Sequence, residues 1–127
     1  YKPTIKFDIE DTLLIHINKA YMESIVLNLM SNAIKYRSKD KVPKISIKAV
    51  ERENFVNLII KDNGIGIDLD KNGDKIFGLY QRFHNYPDSK GLGLYLVKSQ
   101  IEAMGGSIEV ESQVGKGTQF TLTFKKE

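Results

Sequence analysis

The 127-residue chain has no cysteine, no tryptophan, three prolines and two histidines, and each shortage closes off some chemistry. Without thiols there is no disulfide, no thiol nucleophile and no thiolate zinc site, and His16 and His84 stand too far apart in sequence to suggest a metal motif. No apolar run approaches the roughly 20 residues that cross a bilayer, and no secretory leader is recognisable. A cytoplasmic setting without direct membrane contact therefore fits, any anchor being left to other parts of a parent protein. Charge of one sign is also scarce: 19 Lys and Arg against 16 Asp and Glu give a net charge of +3, spread over Lys39, Lys41, Lys44, Lys48, Lys125, Lys126 and others. That excess is thin for a phosphate-backbone stripe, so solubilising charge on turns and strand edges is the expectation and a nucleic-acid partner is not.

What is present is enough apolar material, 41% of residues, for one core in a single domain spanning residues 1–127. The chain opens at Tyr1 without methionine and enters an alternating segment at once, which suggests a piece of a longer protein. Ile5, Phe7 and Ile9 alternate over 4–9 and predict a strand. Asn18 is placed to cap a helix running to about Arg37, followed by a charged, proline-containing turn over 38–43. Two strands follow, with Ile45, Ile47 and Ala49 on one and Val56, Leu58 and Ile60 on the other. From Asp62 to about residue 90 no period persists, and such a long connection is usually functional or mobile. Helical spacing returns from Leu92 to Met104 and stops at Gly105-Gly106. Two strands, 107–112 and 118–124, close the chain around a turn holding Gly115 and Gly117. The expected fold is a two-layer α/β sandwich, a mixed, mostly antiparallel sheet covered on one face by helices.

Four places carry possible chemistry. At about 100° per residue, Met22, Val26, Leu29, Met30 and Ala33 form the core stripe of the first helix, and Asn28, Asn32 and Lys35 form a second stripe expected on the opposite side. Asparagine is a poor helix former, so paired amides beside an ammonium suit a hard cation and phosphate oxygens, although a solvated face explains the same pattern. Asp62-Asn63-Gly64-Ile65-Gly66-Ile67 puts a carboxylate at a strand end, followed by backbone that a flat ligand can approach; an ordinary Asp-Asn-Gly turn is the alternative. Gly91-Leu92-Gly93-Leu94 opens a helix, where free N–H groups and the positive dipole end favour an anion. Gly115-Lys116-Gly117-Thr118 has the composition of a hairpin turn.

In this order and spacing the four pieces resemble the boxes of the histidine-kinase catalytic and ATP-binding domain. Residues 28–36 resemble its N box, 62–67 its first glycine box, 91–94 its second and 115–118 its third, while 76–82 resemble its F box with Tyr80 and Arg82 in the aromatic and arginine places. The likeness runs over essentially the whole chain and extends to the wider superfamily of DNA gyrase, heat-shock chaperone and mismatch-repair ATPases, with its Bergerat ATP-binding fold. Ser89 and Lys90 depart from the glycine and small residue usual before the second glycine box.

The resemblance implies ATP and Mg2+ as cofactors. It implies Asn32 as magnesium ligand with Asn28 beside it, Lys35 and Tyr36 near phosphate and nucleoside, and Asp62 as the carboxylate that reads adenine. Gly64, Gly66 and Ile67 would floor the base pocket. Gly91, Leu92, Gly93 and Leu94 would meet phosphates, Lys90 adding a phosphate contact outside the family pattern, residues 67–90 would form a lid, Thr118 would stand near the adenine, and Arg82 would steady the γ-phosphate or dock a partner domain. Related hydrolases carry a glutamate four residues before the magnesium asparagine; here Asn28 stands there, and an amide cannot take a proton from water. The implied activity is thus a protein histidine kinase half-site in two-component signalling. Its acceptor histidine lies on a separate dimerisation domain of a homodimeric parent, with a response regulator downstream. Neither His16 nor His84 is the acceptor by this comparison.

Overall fold

Alternation along the strands decides which face of the sheet is buried. Ile45 and Ile47, then Val56, Leu58 and Ile60, then Phe120, Leu122 and Phe124 point to one side and are almost fully enclosed, while the residues between them are half-buried or exposed. The computed structural model describes residues 4–8, 19–72 and 93–125. Its elements are β1 (Thr4–Asp8), α1 (Lys19–Lys35), β2 (Lys44–Glu51), β3 (Phe55–Asp62), α2 (Leu69–Asn72), α3 (Gly93–Ala103), β4 (Ser107–Gln113) and β5 (Gly117–Lys125). The strands form a sheet ordered β1-β2-β3-β5-β4. β1 pairs parallel to β2 and every other pairing is antiparallel. The mixed, mostly antiparallel sheet with helices over one face is the architecture expected.

α1 and α3 cover that face. Ile25, Leu29 and Ala33 of α1 meet Val97 and Ile101 of α3 in one cluster with the inward strand residues. Each Ile, Leu or Val side chain among them contributes about 1.5–3 kcal/mol by leaving water. The end of α1 differs slightly from the sequence expectation. The helix closes at Lys35, and the next turn is held by the backbone N–H of Arg37 and its guanidinium, both donating to the Ile34 carbonyl at 3.3 and 2.8 Å. α3 ends as its glycines predict: Gly105 takes φ +74°, its N–H bonds the Glu102 carbonyl, and the Gly106 N–H bonds the Ile101 carbonyl, a Schellman stop. The connection after Asp62 is not wholly aperiodic, since it holds the four-residue helix α2.

The polar stripe of α1 lies beside the core and not, as its spacing predicts, opposite it. Its core meridian runs through Ile25, Leu29 and Ala33, with Val26 and Met30 at the margin, and the face turned fully outward is that of Glu23, Leu27 and Ser31. Asn28, Asn32 and Lys35 are half-buried, on the flank of the core and not opposite to it. Ile25, about 40° from Leu29 and fully enclosed, turns the core stripe toward the amides.

Candidate nucleotide site

At one end of the sheet the inward-facing row turns polar. Register pairs Ile45 with Asp62, Asp62 with Thr118 and Thr118 with Ser112. Asp62 continues the inward series of Val56, Leu58 and Ile60, Thr118 that of Phe120, Leu122 and Phe124, and Ser112 that of Ile108 and Val110. A carboxylate and two hydroxyls thus stand side by side on the helix-covered face. Thr118 is the one buried polar residue among those described. Burial pushes the Asp62 carboxyl above its usual range, and backbone N–H groups of Gly64 and Thr118 act in the opposite direction by bonding the ionised form.

The glycines are fixed by close approach. The Gly64 N–H donates to Asp62 Oδ1 at 2.8 Å, and a Cβ at Gly64 would lie 2.6 Å from the carbonyl oxygen of Tyr36, which also accepts the Ile65 N–H at 3.0 Å. The loop leaving β3 is thereby stitched to the end of α1. Gly66 has φ +78°, and its missing Cβ makes room for the Gln113 carbonyl. The Ile65 carbonyl accepts the Gly115 N–H at 2.9 Å, joining the same loop to the β4–β5 turn.

The chain path brings Gly93, the described member of the second glycine pair, to this end as well. β1 starts opposite the start of β2, which lies opposite the end of β3, so α1 leaves from the far end of the sheet and returns to the Asp62 end. α3 leads into β4, which starts at the far end opposite Thr123, so the amino end of α3 points toward Asp62. Gln100 Nε2 donating to Ser24 Oγ at 3.0 Å sets the level of the two antiparallel helices, and about two turns from that contact Gly93 comes abreast of Ser31 and Asn32. Asn28 and Lys35 lie within about 40° of the Ser24 meridian, the side of α1 turned to α3. The Asn28–Asn32–Lys35 flank, the first turn of α3 and the Asp62–Thr118–Ser112 row therefore converge.

The side chains of Ile67 and Leu94 are packed in the core, and the Ile67 N–H is taken by Ser112 Oγ at 2.7 Å. Tyr36 is half-buried beside Gly64. Gly93 forms the first residue of α3. Arg82, Lys90, Gly91 and Leu92, the F-box segment 76–82, most of the expected lid, Asn18, His16 and His84 lie outside the described residues.

Asn63 and Ser112, to which the sequence assigns no role, are structural. Asn63 Oδ1 accepts the Lys44 N–H at 2.9 Å and its Nδ2 donates to the Val42 carbonyl at 3.0 Å, clamping the start of β2 to the end of β3. Ser112 links the Ile67 N–H, the Gly117 carbonyl and the Thr118 hydroxyl. The only sequence signal for Ser112 is its inward parity on β4, six residues before Thr118. On the open face of the sheet, a cavity of about 300 Å³ is lined by Lys44, Ser46, Lys61 and Lys116 behind the same strand ends.

Residues 18–127 match the family model described as histidine kinase-, DNA gyrase B-, and HSP90-like ATPase. The chain belongs to that family. It is 43% identical over 98 residues to cyanobacterial phytochrome A of Nostoc sp., covering 76% of this chain and 12% of that protein. It is 35% identical over 121 residues to the sensor histidine kinase WalK of Bacillus subtilis, covering 91% of this chain and 20% of that one. The chain thus spans a small part of the curated relatives it matches. In fold it is similar to the catalytic domain of histidine kinase ThkA, with a TM-score of 0.80 at 22% identity over 98% of this chain and 80% of that one. It is likewise similar to full-length ShkA in complex with AMPPNP, with a TM-score of 0.79 at 24% identity over 96% and 25%. The chain is a histidine-kinase-type ATPase domain. No described helix is long and apolar enough to cross a membrane.

Proposed function

We propose that this domain binds Mg-ATP and donates the γ-phosphate to a histidine on a separate dimerisation domain of the same parent protein, a homodimeric sensor kinase that feeds a response regulator. The observation that carries the reading is the convergence of the Asp62 row, the α1 amide flank and the amino end of α3 at one end of the sheet. A carboxylate held by two backbone N–H groups keeps lone pairs for an exocyclic amine, so Asp62 takes the adenine, beside Thr118 and over Gly64 and Gly66. Free N–H groups in the first turn of α3, with Gly91 and Gly93, take phosphate, joined by Lys35, Lys90 and Arg82.

The amide oxygens of Asn32 and Asn28 fit Mg2+, a hard cation that needs few protein ligands when phosphate oxygens and water complete its shell. Among the described residues no group of three or more His, Cys, Asp or Glu side chains offers an alternative. Magnesium there would neutralise charge on the phosphates. With an amide at position 28 in place of a carboxylate, the site positions ATP for an acceptor and leaves water unactivated, and positioning with electrostatic stabilisation is most of what phosphoryl transfer asks of a protein.

Mixing the domain with a candidate histidine-bearing dimerisation domain and γ-labelled ATP tests this. Acid-labile label on the partner is expected. Steady phosphate release by the domain alone would instead make it a hydrolase of the same fold, and no thermal shift with ATP or ADP would make it an interaction module.

A further inference from the structure

Ser112 ends the Asp62–Thr118–Ser112 row, and its hydrogen bonds dictate what the other two residues offer to a base. Its single hydroxyl proton is committed to the Gly117 carbonyl at 2.9 Å, and one lone pair accepts the Ile67 N–H at 2.7 Å. Either oxygen could donate in the contact between Ser112 Oγ and Thr118 Oγ1 at 2.8 Å; with the Ser112 proton assigned to the Gly117 carbonyl, the donor there is Thr118. Thr118 Oγ1 is left with lone pairs only. Its neighbour across the strands, Asp62, accepts N–H groups from Gly64 and Thr118 and, when ionised, donates nothing. The row is therefore a pair of acceptors.

We propose that Ser112 is a specificity-positioning residue: by holding the Thr118 proton it keeps the site an acceptor-only face that takes the amino group of adenine and refuses the carbonyl oxygen guanine carries at the same place. The inference rests on the nucleotide reading above and adds the source of base selectivity. A buried site built to accept hydrogen bonds discriminates strongly against a base that presents another acceptor, because both groups stay unpaired. Freed from Ser112, the Thr118 hydroxyl rotates and donates to whichever acceptor enters.

The test is a double-mutant cycle of Ser112→Ala and Thr118→Val, each measured by calorimetric titration with ADP and with GDP, with melting curves to confirm folding. The wild-type ratio of GDP to ADP dissociation constants is expected to fall at least tenfold in Ser112→Ala. The same change made in the Thr118→Val background, where no hydroxyl remains to turn, is expected to leave the ratio unaltered. If Ser112→Ala weakens both nucleotides equally, or shifts the ratio as much without the Thr118 hydroxyl as with it, Ser112 merely braces the turn and the inference fails while ATP binding stands. A wild-type chain that binds neither nucleotide overturns the nucleotide reading itself.

Discussion

Gly115 and Gly117 stand two residues apart in one hairpin turn, both with positive φ, and differ in what a side chain would meet. At Gly115, φ is +84° and a Cβ would have nothing within 4 Å. At Gly117, φ is +131° and a Cβ would fall 2.0 Å from the carbonyl oxygen of Asp62, with the Asp62 carbonyl carbon at 2.9 Å and the Asn63 Cα at 3.0 Å. Gly115→Ala should therefore cost only the left-handed backbone, about 1 kcal/mol. Gly117→Ala carries a conformational cost of about 1–3 kcal/mol and, in addition, forces β3 and β5 apart by about 1 Å, since a contact of at least about 3.0 Å must replace one of 2.0 Å. That movement displaces Asp62 and breaks the Ser112 hydroxyl bond to the Gly117 carbonyl. We expect a total of about 3 kcal/mol or more in urea denaturation. The ATP dissociation constant should rise about 10- to 100-fold, the loss of about one hydrogen bond to the Asp62 carboxylate at about 1.5–3 kcal/mol, whereas Gly115→Ala should bind as wild type. If Gly117→Ala is no worse than Gly115→Ala in either assay, the close approach is not what demands glycine there.

Asp62→Asn should trade binding for stability. Because burial raises the folded-state value of Asp62 above the ordinary 3.8, its contribution to stability is fully present below pH 3.8 and is lost as pH rises through the folded value. Denaturation curves of wild type and Asp62→Asn should accordingly diverge in favour of the variant as pH rises from about 4, with nucleotide affinity lost; a gap that does not change with pH would contradict the burial argument. Asn63→Ala removes two side-chain hydrogen bonds between strand ends and should cost about 1–2 kcal/mol in urea, and a neutral result would show the clamp to be dispensable. Ile25→Ala, at a fully enclosed position, should cost about 2–5 kcal/mol, more than Met30→Ala at the margin of the same cluster. The reverse order would return the core stripe to the sequence assignment.

The strands were legible because period-two alternation is a direct image of one-sided burial: Ile45 and Ile47, Leu58 and Ile60 are the inward set in sequence and structure alike. The stop at Gly105-Gly106 was legible because a left-handed cap has few solutions besides glycine. The flank position of Asn28 and Asn32 is legible only once Ile25 is counted in the core stripe, which turns that stripe toward the amides. Asn63 looked like part of a turn, and its clamp on Lys44 and Val42 joins residues some twenty apart. Ser112 resembled any exposed strand serine until the Thr118 register set it beside Asp62. Pairing between strands is non-local, so the polar row it creates has no trace in any single segment.

Calorimetric titration with Mg-AMPPNP, a non-hydrolysable stand-in for Mg-ATP, of the wild-type chain and of Asp62→Ala tests most directly whether the cradle at this end of the sheet is a nucleotide site. Saturable one-to-one binding by the wild type, abolished in a folded Asp62→Ala, is the predicted result. Absence of binding by the wild type, or equal binding by the variant, would contradict it.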